Sequence, residues 1–165
     1  MLQLHFAVIG MNKGQIIGLI GGIIALIGFF LPWVIVSATN PDTGQQISVG
    51  VPGYLTVMAF GFTPLIFSIL VIIFAGVIKK PIGGILVLVF ALLGLILTGL
   101  AFGAVEYIKA MYAGYENISA ETGAGLYLTL VGFIIGFVGG IMHFIMAKKE
   151  AETSAPTAKT QTPPS

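Results

Sequence analysis

The stretch from residue 14 to residue 36 decides the fold, and it reads GQIIGLIGGIIALIGFFLPWVIV, without one Asp, Glu, Lys or Arg. A helix of this length spans about 35 Å at about 1.5 Å per residue, which exceeds a hydrocarbon core of about 30 Å. Three further charge-free stretches follow at residues 55–78, 82–105 and 123–147. The sequence therefore predicts an all-α membrane protein, a bundle of four transmembrane helices within residues 14–147.

The composition supports a membrane protein and excludes other classes. Hydrophobic residues make up 57% of the chain and charged residues 8%, against about 25% charged residues in soluble domains. Transmembrane strands of about ten alternating residues do not fit the long apolar runs. Without cysteine the chain has no disulfide and no thiolate ligand. A formal charge of +1 provides no basic footprint, so we expect a lipid bilayer and no nucleic acid as partner.

The lysines predict the orientation of the helices. Five lysines flank the four stretches on one side, and a single lysine, Lys109, lies on the other side. The five are Lys13, Lys79, Lys80, Lys148 and Lys149. Because cytoplasmic loops carry an excess of basic residues, we expect a multi-pass protein of the plasma membrane with both termini in the cytoplasm.

Both ends of the chain lie outside the predicted bundle. Residues 1–13 form a short cytoplasmic N-terminus, in which Met1 and Met11 are alternative starts. Residues 148–165 follow the last stretch, and from Ala151 onward they are rich in Ala, Thr, Pro and Ser. Such a segment lacks the apolar residues that would offset the entropy of ordering, which predicts a disordered cytoplasmic tail.

The tryptophan and all tyrosines fall at or beyond the outer ends of the apolar stretches. These residues are Trp33, Tyr54, Tyr107, Tyr112, Tyr115 and Tyr127. Amphipathic rings favour the membrane interface because one end is apolar and the other can reach water. We interpret them as an outer aromatic belt, and the alternative is a cluster that binds a ligand.

Glycines recur at every fourth position in the first and the last stretch. The two ladders are Gly14, Gly18 and Gly22, and Gly132, Gly136 and Gly140. Small residues at this spacing share a helix face and let two backbones approach closely in lipid. The ladders predict packing seams, either between the first and the fourth helix or between subunits.

Two prolines interrupt the apolar stretches. Pro32 has no N–H and releases the carbonyl of Gly28, which predicts a kink or stop at the end of the first helix. Pro64 displaces the bond to the carbonyl of Phe60, which predicts a bend in the second helix. That bend is either a static kink or a hinge that opens a pore.

The first outer loop carries the pattern of a small β-hairpin. Residues 34–36 are β-branched, residues 40–44 are turn formers, and apolar residues alternate with small ones over residues 47–51. An irregular polar loop is the alternative. The second outer loop, residues 106–122, contains the glycosylation sequon Asn117-Ile118-Ser119, so Asn117 is a candidate glycosylation site.

Few side chains in the stretches could support chemistry. His5 and His143 are the only histidines and do not form the pair that a haem bundle needs. The remaining polar residues within the spans are Gln15, Thr56, Thr63, Ser68, Thr98 and Thr129. Such side chains usually bond back to their own helix or to a neighbour. No base accompanies them, so we expect no enzyme, no cofactor and no metal.

The chain resembles a group of small prokaryotic four-span (tetraspan) membrane proteins of largely unassigned function. The resemblance is carried by a Gly-rich first helix that ends in Leu-Pro-Trp, here Gly14 to Trp33, and by Gly-Ala-Gly-Leu-Tyr-Leu at residues 123–128. The layout is also similar to that of the claudin-like fold, although the cysteine pair and the Gly-Leu-Trp segment of the claudin loop are absent.

These features lead to two functional hypotheses. The first is a non-enzymatic interaction or scaffold subunit of a membrane assembly, which acts through helix packing and its outer loops on other membrane proteins or on further copies of itself. The alternative is a small oligomeric channel or transporter subunit with a path lined by Thr63, Ser68 and Thr98. Such a path would form between protomers, because four glycine-packed helices leave little lumen.

Overall fold

The fold is given by a computed structural model, which describes residues 10–56 and 62–154. The elements in chain order are α1 (Lys13–Phe30), β1 (Pro32–Thr39), β2 (Gln46–Pro52), the short α2 (Gly53–Thr56), α3 (Thr63–Val77), α4 (Pro81–Tyr112), β3 (Ile118–Thr122) and α5 (Ala124–Ser154). Three of the helices, α1, α4 and α5, are long and apolar enough to cross a membrane. The described chain is thus mostly helical, with a small sheet.

The first helix is shorter than predicted. It ends at Phe30 rather than at residue 36, because Pro32 cannot donate to the carbonyl of Gly28 and the β-branched residues after it enter β1. The indole Nε1–H of Trp33 donates to that carbonyl at 3.1 Å, in addition to the backbone N–H of Leu31 at 3.3 Å. The Gly28 carbonyl therefore has two donors at the point where the helix stops.

The second apolar helix begins late. Residues 55–78 were predicted as one helix, whereas α3 has 15 residues and begins at Thr63, with residues 57–61 outside the described chain. Pro64 lies in the first turn of α3, where an N–H would have no intrahelical partner in any case. Pro64 thus begins a helix at the position where the sequence predicted a bend within one.

The last two helices are longer than predicted. Helix α4 continues from residue 105 to Tyr112, and α5 continues from residue 147 to Ser154. Residues 148–154, predicted to be disordered, are therefore helical, and the rest of the predicted tail lies outside the described residues. Pro81 stands in the first turn of α4, after the turn that joins it to α3.

The predicted hairpin is present and has an unpredicted third strand. Strands β1 and β2 are antiparallel, with Val36 opposite Val49. Strand β3 pairs antiparallel with the other edge of β1, with Val36 opposite Ala120, which gives the order β2-β1-β3. The sheet thus joins the segment after α1 to the segment before α5, and both helices meet it at the same end.

The glycine-rich faces of α1 and α5 pack against each other within the chain. Facing positions run in one antiparallel register: Gly14 with His143, Gly18 with Gly139, Gly21 with Gly136, Ala25 with Gly132, and Gly28 with Thr129. A side chain on Gly21, Gly132 or Gly139 would overlap backbone of the facing helix. The seam therefore depends on direct backbone contact, as expected in lipid.

The spacing of this seam differs from the predicted ladders. Facing positions on α1 alternate between steps of four and three residues, the pattern of left-handed helix packing. A strict step of four drifts around the helix, because four residues exceed one turn of about 3.6 residues. Gly22 consequently faces Ile72 of α3, and Gly140 faces Leu88 of α4.

Candidate functional site: the two ends of the bundle

The sheet has one apolar and one polar face. Pairing and alternation place apolar side chains together on the first face, apart from one threonine: Val34, Val36, Ala38, Ile47, Val49, Val51, Ile118, Ala120 and Thr122. The opposite face carries Ser37 and Ser48, whose hydroxyl oxygens are 2.8 Å apart. The apolar face requires cover, and the last turns of α4 supply part of it.

Helix α4 covers the apolar face on the side of β1 and β3. Val105 is fully buried in a cluster with Phe29, Trp33 and Val34, and Ile108 packs against that cluster. We call the three strands together with residues 105–112 of α4 the sheet end of the protein. Tyr112 lines clefts on both flanks of α4, so the helix lies along the sheet without closing either side.

The two clefts differ in chemistry. The first has a volume of about 240 Å³ and apolar walls, apart from one phenol: Val34, Val36, Val51, Leu55, Ile108, Met111 and Tyr112. The second, of about 420 Å³, lies between α4 and β3 and includes an ion pair in which Lys109 Nζ donates to Glu106 Oε1 at 2.8 Å. The sheet end thus presents one apolar and one mixed groove.

Part of the apolar face has no cover within the described chain. Ile47 is 61% exposed, Val49 58% and Met111 60%. All three lie at the sheet end, beyond the ends of α1 and α5, with Ile47 and Val49 on β2 and Met111 in the last turn of α4. Adjacent exposed apolar side chains of this kind are typical of surfaces that contact another molecule.

The residues of the predicted outer aromatic belt differ in burial. Trp33 is 1% exposed and contacts Phe29 at 6.1 Å between ring centroids, so its ring belongs to the core. Tyr107, Tyr115 and Tyr127 are exposed. The ring of Tyr112 is 6.3 Å from that of Tyr115, whereas Tyr127 instead contacts Phe102. The side chain of Tyr54 lies outside the described part of the structure.

The opposite end of the bundle holds a buried polar clamp. Gln15 and Asn12 form a capping box at the start of α1, and the Gln15 amide also donates to the carbonyls of Ala75 at 3.0 Å and Ile78 at 3.4 Å. These carbonyls belong to the end of α3, where a helix has no donors of its own. The Asn-x-x-Gln spacing was a sequence signal for the cap, but the bond to α3 was not predictable from it.

His143 completes this clamp. It is fully buried on α5, and its Nε2 lies 3.2 Å from the carbonyl oxygen of Lys80. Its Nδ1 has no hydrogen-bond partner among the described residues. We call Asn12–Gln15, the turn of residues 78–81 and residues 143–149 the lysine end. Two buried side chains, from α1 and α5, hold its turn in place.

The hydroxyl groups between the two ends are satisfied locally. Ser68 donates to the carbonyl of Pro64 at 2.8 Å, Thr98 to that of Gly94 at 2.7 Å and Thr129 to that of Gly125 at 2.8 Å. All three hydroxyl side chains are fully buried. Two residues of the predicted conduction path, Ser68 and Thr98, therefore bond within their own helices inside the packed bundle.

The geometry offers no group suited to metal binding within residues 10–56 and 62–154, where no three His, Asp or Glu side chains converge.

The candidate glycosylation site, Asn117, is exposed just before β3, and its backbone carbonyl accepts from Thr39 N–H at 2.8 Å.

Comparison of the sequence with protein-family models found no match, and comparison with curated proteins found none.

Proposed function

We propose that this chain is a non-enzymatic, four-span subunit of a membrane assembly, and that its sheet end binds another membrane protein. The observation that carries the proposal is the uncovered apolar face of the sheet, with Val49 58% exposed beyond the ends of α1 and α5. An apolar face outside the hydrocarbon core is not covered by lipid, so a protein partner would stabilise it.

The interior of the bundle supports a role without transport. Buried hydroxyls donate to their own helices, and the seam between α1 and α5 is closed by backbone contact. Ionisable side chains that move protons or ions usually lie at membrane depth; His143, at the lysine end, is the only such side chain buried in the described bundle. No feature of the described bundle specifically favours the channel alternative.

The orientation that accompanies this proposal puts the sheet end outside the plasma membrane and both termini in the cytoplasm. Its support is the lysine asymmetry, because basic residues remain on the cytoplasmic side. The fourth span would consist of α3 with the apolar residues before it in the sequence. The proposal includes a four-span arrangement with a layout similar to that of the claudin-like fold.

The orientation can be tested because the chain has no cysteine. Single cysteines at Thr43 and Lys79 would be treated with an impermeant thiol reagent in intact cells. We expect labelling at position 43 and none at position 79 until the membrane is opened. Labelling at position 79 alone would indicate the opposite orientation and contradict the proposed one.

The binding role can be tested by a pair of neighbouring positions on β2. A photo-crosslinking amino acid at Val49 lies on the apolar face, whereas one at Ser48 lies on the opposite face at the same height. We expect a defined cross-linked partner from position 49 and no such product from position 48. Equal products from both positions would contradict the proposal. Cross-links only to further copies, together with ion flux in liposomes, would favour the channel alternative.

A further inference from the structure

The lysine end carries a concentrated positive charge that the described chain does not neutralise. Five lysines stand there against two glutamates, Glu150 and Glu152, an excess of three positive charges. Lys148 has a distant partner in Glu152, with 3.9 Å between Nζ and Oε1. Lys13, Lys79 and Lys80 are exposed and form no ion pair with the described residues.

These three lysines are brought together by the buried clamp. The Gln15 amide bonds the carbonyls of Ala75 and Ile78, so the start of α1, with Lys13, is tied to the turn that carries Lys79. His143 bonds the carbonyl of Lys80 on the same turn. Lys79 Nζ also lies next to Gly10, close to the space that a side chain there would fill. The ammonium groups thus extend from a backbone that two helices hold in place.

The surroundings of this lysine group define what can bind to it. Val77 precedes the lysines and Ile82 follows them, and both are exposed apolar residues, on α3 and α4 respectively. The starts of α1 and α4 lie at this end with the ends of α3 and α5, so opposed helix dipoles largely cancel and the lysines dominate the field. A ligand here needs a negative headgroup and apolar chains.

We infer that Lys13, Lys79 and Lys80 bind the phosphate headgroup of an anionic phospholipid, whose acyl chains lie along the exposed apolar residues of α3 and α4. Lysine is a common ligand of phosphate, and each lysine near an anionic membrane surface strengthens binding about fivefold. A defined contact differs from the general attraction of basic loops to membranes, because it requires the lysine pair on the turn to contribute more than the pair at residues 148 and 149.

The test uses the purified full chain in mild non-ionic detergent and native mass spectrometry with lipids of identical acyl chains. We expect phosphatidylglycerol to bind at least tenfold more tightly than phosphatidylcholine, with the preference falling as salt rises, since salt screens exposed charges. Equal affinity for both lipids in low salt would overturn the inference without the use of any variant.

Two matched double variants locate the contact. Lys79→Gln with Lys80→Gln should weaken phosphatidylglycerol binding by roughly 25-fold, which is about fivefold for each lysine. Lys148→Gln with Lys149→Gln removes the same charge and should weaken it by less than fivefold, because neither lysine contacts the headgroup in the proposed site. The charge-retaining change to arginine at 79 and 80 should preserve binding. Equal losses in the two glutamine variants would indicate diffuse attraction and contradict a defined site.

Discussion

Two pairs of apolar helices pack closely in opposite ways. One pair is α1 with α5, and the other is α3 with α4. Lipid gives helices no hydrophobic reason to associate, so close contact must supply the attraction. In the seam, glycines remove side chains and the backbones meet, whereas between α3 and α4 the ring of Phe90 stacks on Phe74 at 5.4 Å and contacts Phe67 at 5.8 Å. Where the backbones meet, as at Gly139, the first contact tolerates no added atom, whereas the second can yield.

The largest change in stability is expected on substitution of Gly139 of α5, in contrast to Gly136 of the same helix. A Cβ on Gly139 would overlap the backbone of Gly18, whereas a Cβ on Gly136 would lie in ordinary contact, 3.5 Å from Val71 and 3.6 Å from Ala91. Gly139→Ala should therefore destabilise the protein by about 3 kcal/mol, the upper end for overpacking. Gly136→Ala should be neutral or stabilising by up to about 1 kcal/mol through helix propensity.

Thermal or denaturant unfolding in detergent at two protein concentrations measures both glycine variants. A loss that does not depend on protein concentration would place the effect within one chain. If the two variants have the same unfolding free energy, α1 and α5 can move apart at no cost, and the tight seam between them is refuted.

An intermediate effect is expected at the polar tie between the two helix pairs. Gln15→Leu removes the donor to the carbonyls of Ala75 and Ile78 and leaves buried acceptors without it. We expect a loss of about 2 kcal/mol in unfolding free energy, the scale of a buried unsatisfied group. Asn12→Ala, which removes only the cap of α1, is the control and should cost about 1 kcal/mol. An equal or smaller loss for Gln15→Leu would show that the tie to α3 contributes nothing.

The smallest effect is expected in the aromatic pair. Phe90→Leu removes two ring contacts but leaves an apolar side chain, and lipid can fill the space around the partly exposed position. A loss of about 1 kcal/mol should follow, the scale of an aromatic pair. Val89→Leu, on the exposed side of the same helix, is the matched control and should be silent. A loss at Phe90 as large as that at Gly139 would end the contrast between the two contacts.

Local patterns predicted the helices, because a long charge-free run is sufficient to indicate one. They placed the end of α1 six residues too late, since the apolar run continues through Trp33 into β1 while hydropathy alone does not distinguish a helix from a strand. The alternation after residue 46 was sufficient for the hairpin. Strand β3 was missed because its pairing with β1 joins segments some eighty residues apart, which no local pattern records.

The two ends were harder to predict than the helices between them. Counting glycines at a step of four identified α1 and α5 as packing helices but assigned Gly22 and Gly140 to the wrong neighbours. His143 looks like an isolated interfacial residue until the turn at Lys80 is placed beside it. The contacts of Gln15, His143 and Trp33 depend on the position of other elements, so only the assembled fold displays them.

The indole at the end of α1 also provides an intrinsic fluorescent probe of the fold. Trp33 is the single tryptophan of the chain, it is buried, and its Nε1–H bonds the carbonyl of Gly28 where helix turns into strand. An indole shielded from water emits at shorter wavelength than one in water, so its fluorescence follows the junction between bundle and sheet without an added dye. Because the chain has no second tryptophan, a red shift of the emission excited at the tryptophan band would report the opening of this junction during unfolding.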